Sequence, residues 1–110
     1  METYKLWQEY LPNFPKTSRY TLGGKIDTLF LETTEFIYTA CYQKGKEKLS
    51  SIEKASVKLD LLKFFLRMSW EIKSLDNKKY SAISIRLDEI GRMLGGWAKK
   101  IRETSMLSDK

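Results

Sequence analysis

The residues with the clearest capacity for chemistry in this sequence are lysines and arginines in its second half. Basic side chains on one helical surface bind phosphates through charge-assisted hydrogen bonds. The alternative for each of them is a solvated surface with local ion pairs, such as Asp88 with Arg92 four residues later. The candidates for phosphate binding are Arg67, which lies one helical turn after Lys63, and the group Arg86, Arg92, Lys99, Lys100 and Arg102.

The chain as a whole carries the same bias toward positive charge. Its 110 residues include 20 Lys and Arg against 14 Asp and Glu, which gives a net charge of +6. This excess must lie on the surface, so an acidic or phosphate-bearing partner such as nucleic acid is expected. The total is a weak indication by itself, because many small basic domains only gain solubility from it, and clustering matters more.

Composition disfavours several kinds of catalysis. The chain has no histidine and a single cysteine, Cys41. It therefore has no Ser-His or Cys-His nucleophile pair, no histidine metal ligand and no internal disulfide. Carboxylate or lysine catalysis remains open, but the acids are scattered among Lys and Arg on amphipathic helices, where a solvated surface explains them. We predict a protein that is not an enzyme, has no cofactor or metal, and buries Cys41 as a small apolar side chain.

Helices are predicted to position the basic residues, beginning with a short one near the N-terminus. Residues 4–11 place four apolar side chains on one side of two helical turns, namely Leu6, Trp7, Tyr10 and Leu11. Pro12 and Pro15 then end this helix, because proline lacks an amide hydrogen and favours extended geometry in the residue before it. Aromatic side chains at this spacing are predicted to be core and not base-stacking platforms.

Three long helices follow, each with apolar residues at spacings of three and four. The first runs from Arg19 to about Gln43, with Gly45 as its C-terminal cap. The second opens with a capping box of Ser50 and Glu53 and continues to about Leu75. It has two apolar seams, which predicts two neighbours, and its second seam is formed by Leu61, Phe65, Met68, Ile72 and Leu75.

The last helix, from about Lys79 to Glu103, follows a short polar turn at residues 76–77 and has the most regular seam of all. Trp97 belongs to that seam and is predicted to be a core anchor. Gly91 and Gly95 lie inside the helix, where each glycine costs about 1 kcal/mol relative to alanine. Either glycine near Gly95 kinks or ends the helix, or Gly91 and Gly95, which share a face, allow close packing between subunits.

The predicted fold class is all-α, an antiparallel four-helix bundle made of one short N-terminal helix and three long ones. Residues 1–104 form this single domain and residues 105–110 a flexible C-terminal tail. No apolar run approaches the ~18 residues of a membrane span, and the N-terminus has no secretory pattern, so a cytoplasmic location is expected. A membrane-surface role is disfavoured because the bundle uses the apolar faces.

Two stretches carry a resemblance to a known family. The first is Leu11-Pro12-Asn13-Phe14-Pro15-Lys16 followed by Arg19-Tyr20-Thr21-Leu22-Gly23, and the second is Ile90-Gly91-Arg92-Met93-Leu94-Gly95-Gly96-Trp97. Both resemble the accessory variability determinant family of diversity-generating retroelements. Members of that family are four-helix bundles related in fold to proteins encoded in intervening sequences of bacterial 23S ribosomal RNA genes.

The resemblance implies a homopentameric barrel with a basic surface. It further implies that this barrel associates with the retroelement reverse transcriptase, binds template RNA or DNA, and supports adenine-mutagenic cDNA synthesis without catalysing a step itself. The matching motifs contribute Lys16, Arg19 and Arg92 as binding residues, to which the surface pattern adds Arg67, Arg86, Lys99 and Lys100.

Two alternatives stay open at this point. Arg19, close to a helix start, is also placed to make a structural ion pair with an acidic residue of a neighbouring helix. The whole chain is also compatible with an interaction or RNA-binding scaffold of the ribosomal intervening-sequence type that acts outside any retroelement.

Overall fold

The computed structural model describes the backbone of residues 2–108 and the side chains of residues 2–104. Every regular element in this part of the chain is helical. The elements are α1 (Glu2–Tyr10), a 3-10 turn (Leu11–Asn13), α2 (Lys16–Arg19), α3 (Leu22–Cys41), α4 (Gly45–Glu71) and α5 (Asn77–Ser108). The predicted all-helical bundle of one short and three long helices is therefore confirmed, with α2 as an additional single turn.

The short helix α1 is held against α3 by one carboxylate. Asp27 Oδ1 accepts hydrogen bonds from the Tyr4 hydroxyl at 2.9 Å, the Trp7 indole N–H at 3.2 Å and the Gln8 amide at 2.8 Å. Burial, and then the hydrogen bond to Asp27, raise the pKa of Tyr4 above its ordinary value. Tyr4 therefore stays protonated at neutral pH and donates to the carboxylate.

Trp7 is the centre of the core beneath α1. It is fully buried, its ring stacks on Phe30 of α3 with centroids 5.9 Å apart, and it meets Phe14 edge-on at 5.4 Å. Such aromatic pairs add to the free energy of burial. The prediction that most of the N-terminal aromatic residues are core is confirmed for Trp7 and Phe14.

The junction between α3 and α4 differs from the predicted one. Gly45 has the left-handed φ of 58° expected of a helix cap, but it is the first residue of α4. The helix therefore begins five residues before Ser50, and the predicted capping box does not form. Ser51 instead lies inside α4 and makes a 2.5 Å hydrogen bond to the Gln43 side chain, which fastens the end of α3 to α4.

The connection between α4 and α5 is longer than the sequence indicated and spans residues 72–76. Lys73, with a left-handed φ of 66°, stops α4 at Glu71, ahead of the predicted end at Leu75. Asp76 caps α5, since its Oδ1 accepts the backbone N–H of Lys79 at 2.8 Å. The capping role predicted for this polar turn is thus confirmed at the start of α5.

The outer face of α4 leaves part of the second seam uncovered, although Leu75 is buried and Phe65 packs against the core. Leu61 is 40 % exposed and Ile72 is 56 % exposed, and two further residues of the same face, Val57 and Phe64, are 59 % and 55 % exposed. The two neighbours predicted for α4 are confirmed as α3 and α5, but neither of them covers these exposed side chains. A contiguous row of exposed large apolar side chains is uncommon on a monomeric protein.

Two further expectations need correction. Cys41 is exposed and not buried, because it lies in the last turn of α3 on the side away from the core. Helix α5 continues to Ser108 and does not end near Glu103. The side chains of the predicted tail, residues 105–110, lie outside the described residues. None of the helices in the described part of the chain has both the length and the apolar character needed to cross a membrane.

Candidate nucleic-acid and partner surface

Helix α5 turns its four predicted cations toward solvent because its apolar seam faces the bundle. Ile83, Leu87 and Leu94 are buried in the core. The four exposed cations fall on two edges of the outward surface, where the members of one pair are two helical turns apart and those of the other about four. The pairs are Arg92 with Lys99, and Arg86 with Lys100.

None of these four cations has an ion pair within the described residues. The expected local pair of Asp88 with Arg92 does not form, because Asp88 binds Lys63 of α4 at 3.1 Å. On the same helix, Arg102 is paired with Glu53 of α4 at 3.1 Å. Two of the acids near the basic surface, Asp88 and Glu53, thus join α4 to α5. Two further exposed acids of α5, Glu89 and Glu103, form no ion pair with the four cations among the described residues.

The remaining predicted binding residues lie apart from this group. Arg67 is on α4 and is paired with Glu71 at 3.0 Å, with both side chains more than half exposed, so its charge is partly compensated. Lys16 is exposed at the start of α2. The structure therefore brings together four of the seven predicted residues on one helix and leaves the other three elsewhere.

Arg19 has a structural position. Its Nη2 donates to the backbone carbonyls of Pro12 at 3.0 Å and Phe14 at 3.1 Å, and its buried Nε has no hydrogen-bond partner. These bonds close the proline-containing turn over the core. The ion pair considered as the alternative for Arg19 is replaced by main-chain contacts, which give two carbonyls of this turn a hydrogen-bond donor.

The two glycines predicted to pack subunits have different surroundings. A Cβ on Gly91 would lie 3.2 Å from Lys63 Nζ and 3.6 Å from a methyl of Leu59, so Gly91 faces α4 of the same chain. It makes room for Lys63 to reach Asp88. A Cβ on Gly95 would meet nothing within 4 Å. Packing of Gly95 against another copy stays a prediction.

A cleft at the far end of the bundle was missed by the sequence reasoning. Its volume is about 310 Å³, and its lining residues are Gly45, Lys48, Trp97, Lys100, Ile101 and Thr104. Trp97 is half-buried, and Lys48 Nζ lies 5.9 Å from the centroid of its ring. Trp97 is thus a core residue on one side only. Lys48 was overlooked because the sequence placed the start of this helix after it.

Within the described residues, His, Cys, Asp and Glu side chains nowhere form a group of three or more that could hold a metal ion. The fold and this surface define a small helical-bundle protein whose longest helix carries four exposed cations without an ion pair among the described residues. The chain belongs to the bAvd-like family, whose model matches residues 3–101. This match confirms the resemblance to the accessory variability determinant family, a family of generally non-catalytic accessory proteins of retroelements. No curated protein and no solved structure matches the chain significantly.

Proposed function

We propose that this protein is the accessory subunit of a diversity-generating retroelement that binds the reverse transcriptase and its nucleic acid in the cytoplasm and supports mutagenic cDNA synthesis. Family membership supports the retroelement context. The observation that carries the binding role is the set of four exposed α5 cations without ion pairs, Arg86, Arg92, Lys99 and Lys100.

The mechanism of binding in this proposal is neutralisation of phosphates. Each phosphate contact releases condensed counterions, so the logarithm of affinity falls with the logarithm of salt by about 0.7 to 0.9 per contact. Four contacts per protomer give a loss of affinity of about 50- to 150-fold between 50 and 200 mM salt. The contacts carry little base information, so a protein of this kind holds the template near the polymerase without selecting its sequence.

The assembled form in this proposal is a homopentamer. The exposed row on α4 supports self-association, because its members recur at spacings of four and three residues, which is the pattern that packs against another helix. They are Val57, Leu61, Phe64 and Ile72, with the half-buried Met68 between the last two. A closed ring repeats the basic surface of α5 five times, and linked sites bind a long RNA far more tightly than one site does.

The test is capture of the cognate reverse transcriptase and template RNA by the purified full chain. Reversal of Arg86, Arg92 and Lys100 to Glu should abolish capture of the RNA. The matched control reverses Lys5, Lys25 and Lys73, which are exposed, have no ion pair among the described residues and lie off α5. It changes the net charge equally and should retain capture.

Two results would contradict the binding role. The first is that the protein with the three α5 reversals still captures the RNA. The second is that the control reversals remove capture to the same degree as the α5 reversals. Failure of the unaltered protein to capture either partner would instead favour a basic helical oligomer that acts outside a retroelement.

A further inference from the structure

We propose that the cleft between the start of α4 and the end of α5 binds one unpaired nucleotide, with its base stacked on Trp97 and its phosphate held by Lys48 and Lys100. This inference rests on the proposed nucleic-acid binding and adds a site to it. The α5 surface alone would track any polyanion, whereas this cleft would distinguish single-stranded nucleic acid from other polyanions.

The size of the cleft suits one nucleotide. Its volume of about 310 Å³ is at the lower end of the range of about 300 to 1,000 Å³ found for small-molecule sites. The lining combines a flat aromatic ring, two ammonium groups and the small residue Gly45. This is the combination that single-strand binding proteins use, in which bases stack on aromatic side chains and cations follow the backbone.

The position of Lys48 shows that a face of the Trp97 indole is reachable from the cleft. The ammonium lies 5.9 Å from the ring centroid, within the range of a cation–π contact. The flexible lysine side chain can give way to a base while its charge moves to the adjoining phosphate. Stacking on an aromatic side chain then strengthens binding by about 5- to 150-fold per base.

The two lysines of the cleft are available to a phosphate. Neither Lys48 nor Lys100 has an ion pair within the described residues, unlike Lys58 and Lys63 of the same bundle, which bind Glu32 and Asp88. The Thr104 hydroxyl donates its hydrogen to the Lys100 carbonyl at 2.9 Å. The Thr104 hydroxyl oxygen can therefore still accept a hydrogen bond beside the cleft. An acidic protein segment would satisfy the lysines but would leave the indole face unstacked.

Two labelled oligonucleotides of equal length and phosphate number test the proposal by fluorescence anisotropy with the full chain. One carries uracil at every position and the other is abasic throughout. The unaltered protein should bind the first about 5- to 150-fold more tightly. Trp97→Leu should remove this difference, and Trp97→Phe should restore most of it. Lys48→Gln with Lys100→Gln should weaken binding of both oligonucleotides.

Trp70→Phe is the matched control. Trp70 stacks on Tyr80 within the chain at 5.1 Å, away from the cleft, so this variant should keep the full difference between the oligonucleotides. The Trp70→Phe protein also gives a readout that leaves Trp97 unaltered. Its fluorescence then comes from Trp97 and the fully buried Trp7. The uracil oligonucleotide should quench it, and the abasic one should not.

The outcomes separate this inference from the proposed function. Salt-dependent binding of both oligonucleotides with equal affinity would overturn the cleft and leave the basic surface standing. The cleft proposal would also be overturned if the Trp97→Leu variant kept the preference for the uracil oligonucleotide. Trp97-dependent binding of polyglutamate, with no binding of either oligonucleotide, would overturn it as well. Absence of binding to both at 50 mM salt would overturn the cleft and the proposed function together.

Discussion

Substitution of the exposed row on α4 should dissociate the protein without unfolding it. The perturbation is Leu61→Glu combined with Phe64→Glu, at side chains that are 40 % and 55 % exposed. Full burial of a large apolar side chain is worth about 1.5 to 3 kcal/mol. Covering the exposed fractions of these two residues is then worth about 1.5 to 3 kcal/mol per face.

Loss of that contribution raises a dissociation constant by roughly ten- to a hundredfold, since 1.4 kcal/mol is a factor of ten. Two buried carboxylates in the contact would weaken it further. Sedimentation velocity at micromolar concentration should show a protomer of 12.9 kDa for the variant, and about five times that mass for the unaltered protein.

The matched control is Leu31→Glu combined with Ile85→Glu, at exposed apolar residues on the outer faces of α3 and α5. It introduces the same charge and should remain an oligomer. The reasoning is refuted if the α4 variant sediments like the unaltered protein, or if the unaltered protein is itself a 12.9 kDa monomer.

Three further predictions concern the α5 cations, the tryptophans and pH. Arg92→Gln with Lys99→Gln should reduce the slope of log affinity against log salt by about 1.4 to 1.8 per protomer in a titration from 50 to 200 mM salt, and an unchanged slope would exclude these residues as phosphate contacts. Trp7→Ala should cost about 3 to 5 kcal/mol of unfolding free energy in urea, whereas Trp97→Ala should cost roughly half as much because that ring is only half-buried; equal losses would show that Trp97 is a full core residue. Burial raises the pKa of Tyr4 above 10.0. The contribution of the Tyr4 hydroxyl to the free energy of unfolding should therefore be complete below pH 10 and decline as pH rises through the higher folded-state pKa. Tyr4→Phe should flatten that decline.

The periodicity of apolar residues was enough to predict the helices and their buried faces. The seam through Ile83, Leu87 and Leu94 is buried as expected, because a helix places residues at these spacings on one side regardless of what it packs against. Helix ends were less certain. Gly45 has the left-handed backbone predicted for it, but such a residue suits the end of one helix and the beginning of the next, and here it begins α4.

The composition and spacing of the cations could be read from the sequence, but their partners could not. Asp88 is four residues from Arg92 and yet binds Lys63 of another helix, since the distance between α4 and α5 at Gly91 sets which cation reaches the carboxylate. Arg19 illustrates the same point, because its partners are carbonyls of a turn whose path no periodicity describes.

The sequence by itself determined that this protein is a basic bundle of helices, one of which has two apolar seams, and that it has no histidine chemistry. These properties follow from composition and from spacing along single helices. Only the tertiary structure decided that part of the second seam lies exposed on α4 and that Trp97 borders a cleft with Lys48. The short helix α1 covers α3 near Asp27 and Phe30, at the other end of the bundle from Trp97. Trp97 therefore stays partly exposed, because the exposure of a side chain depends on which helices meet in space.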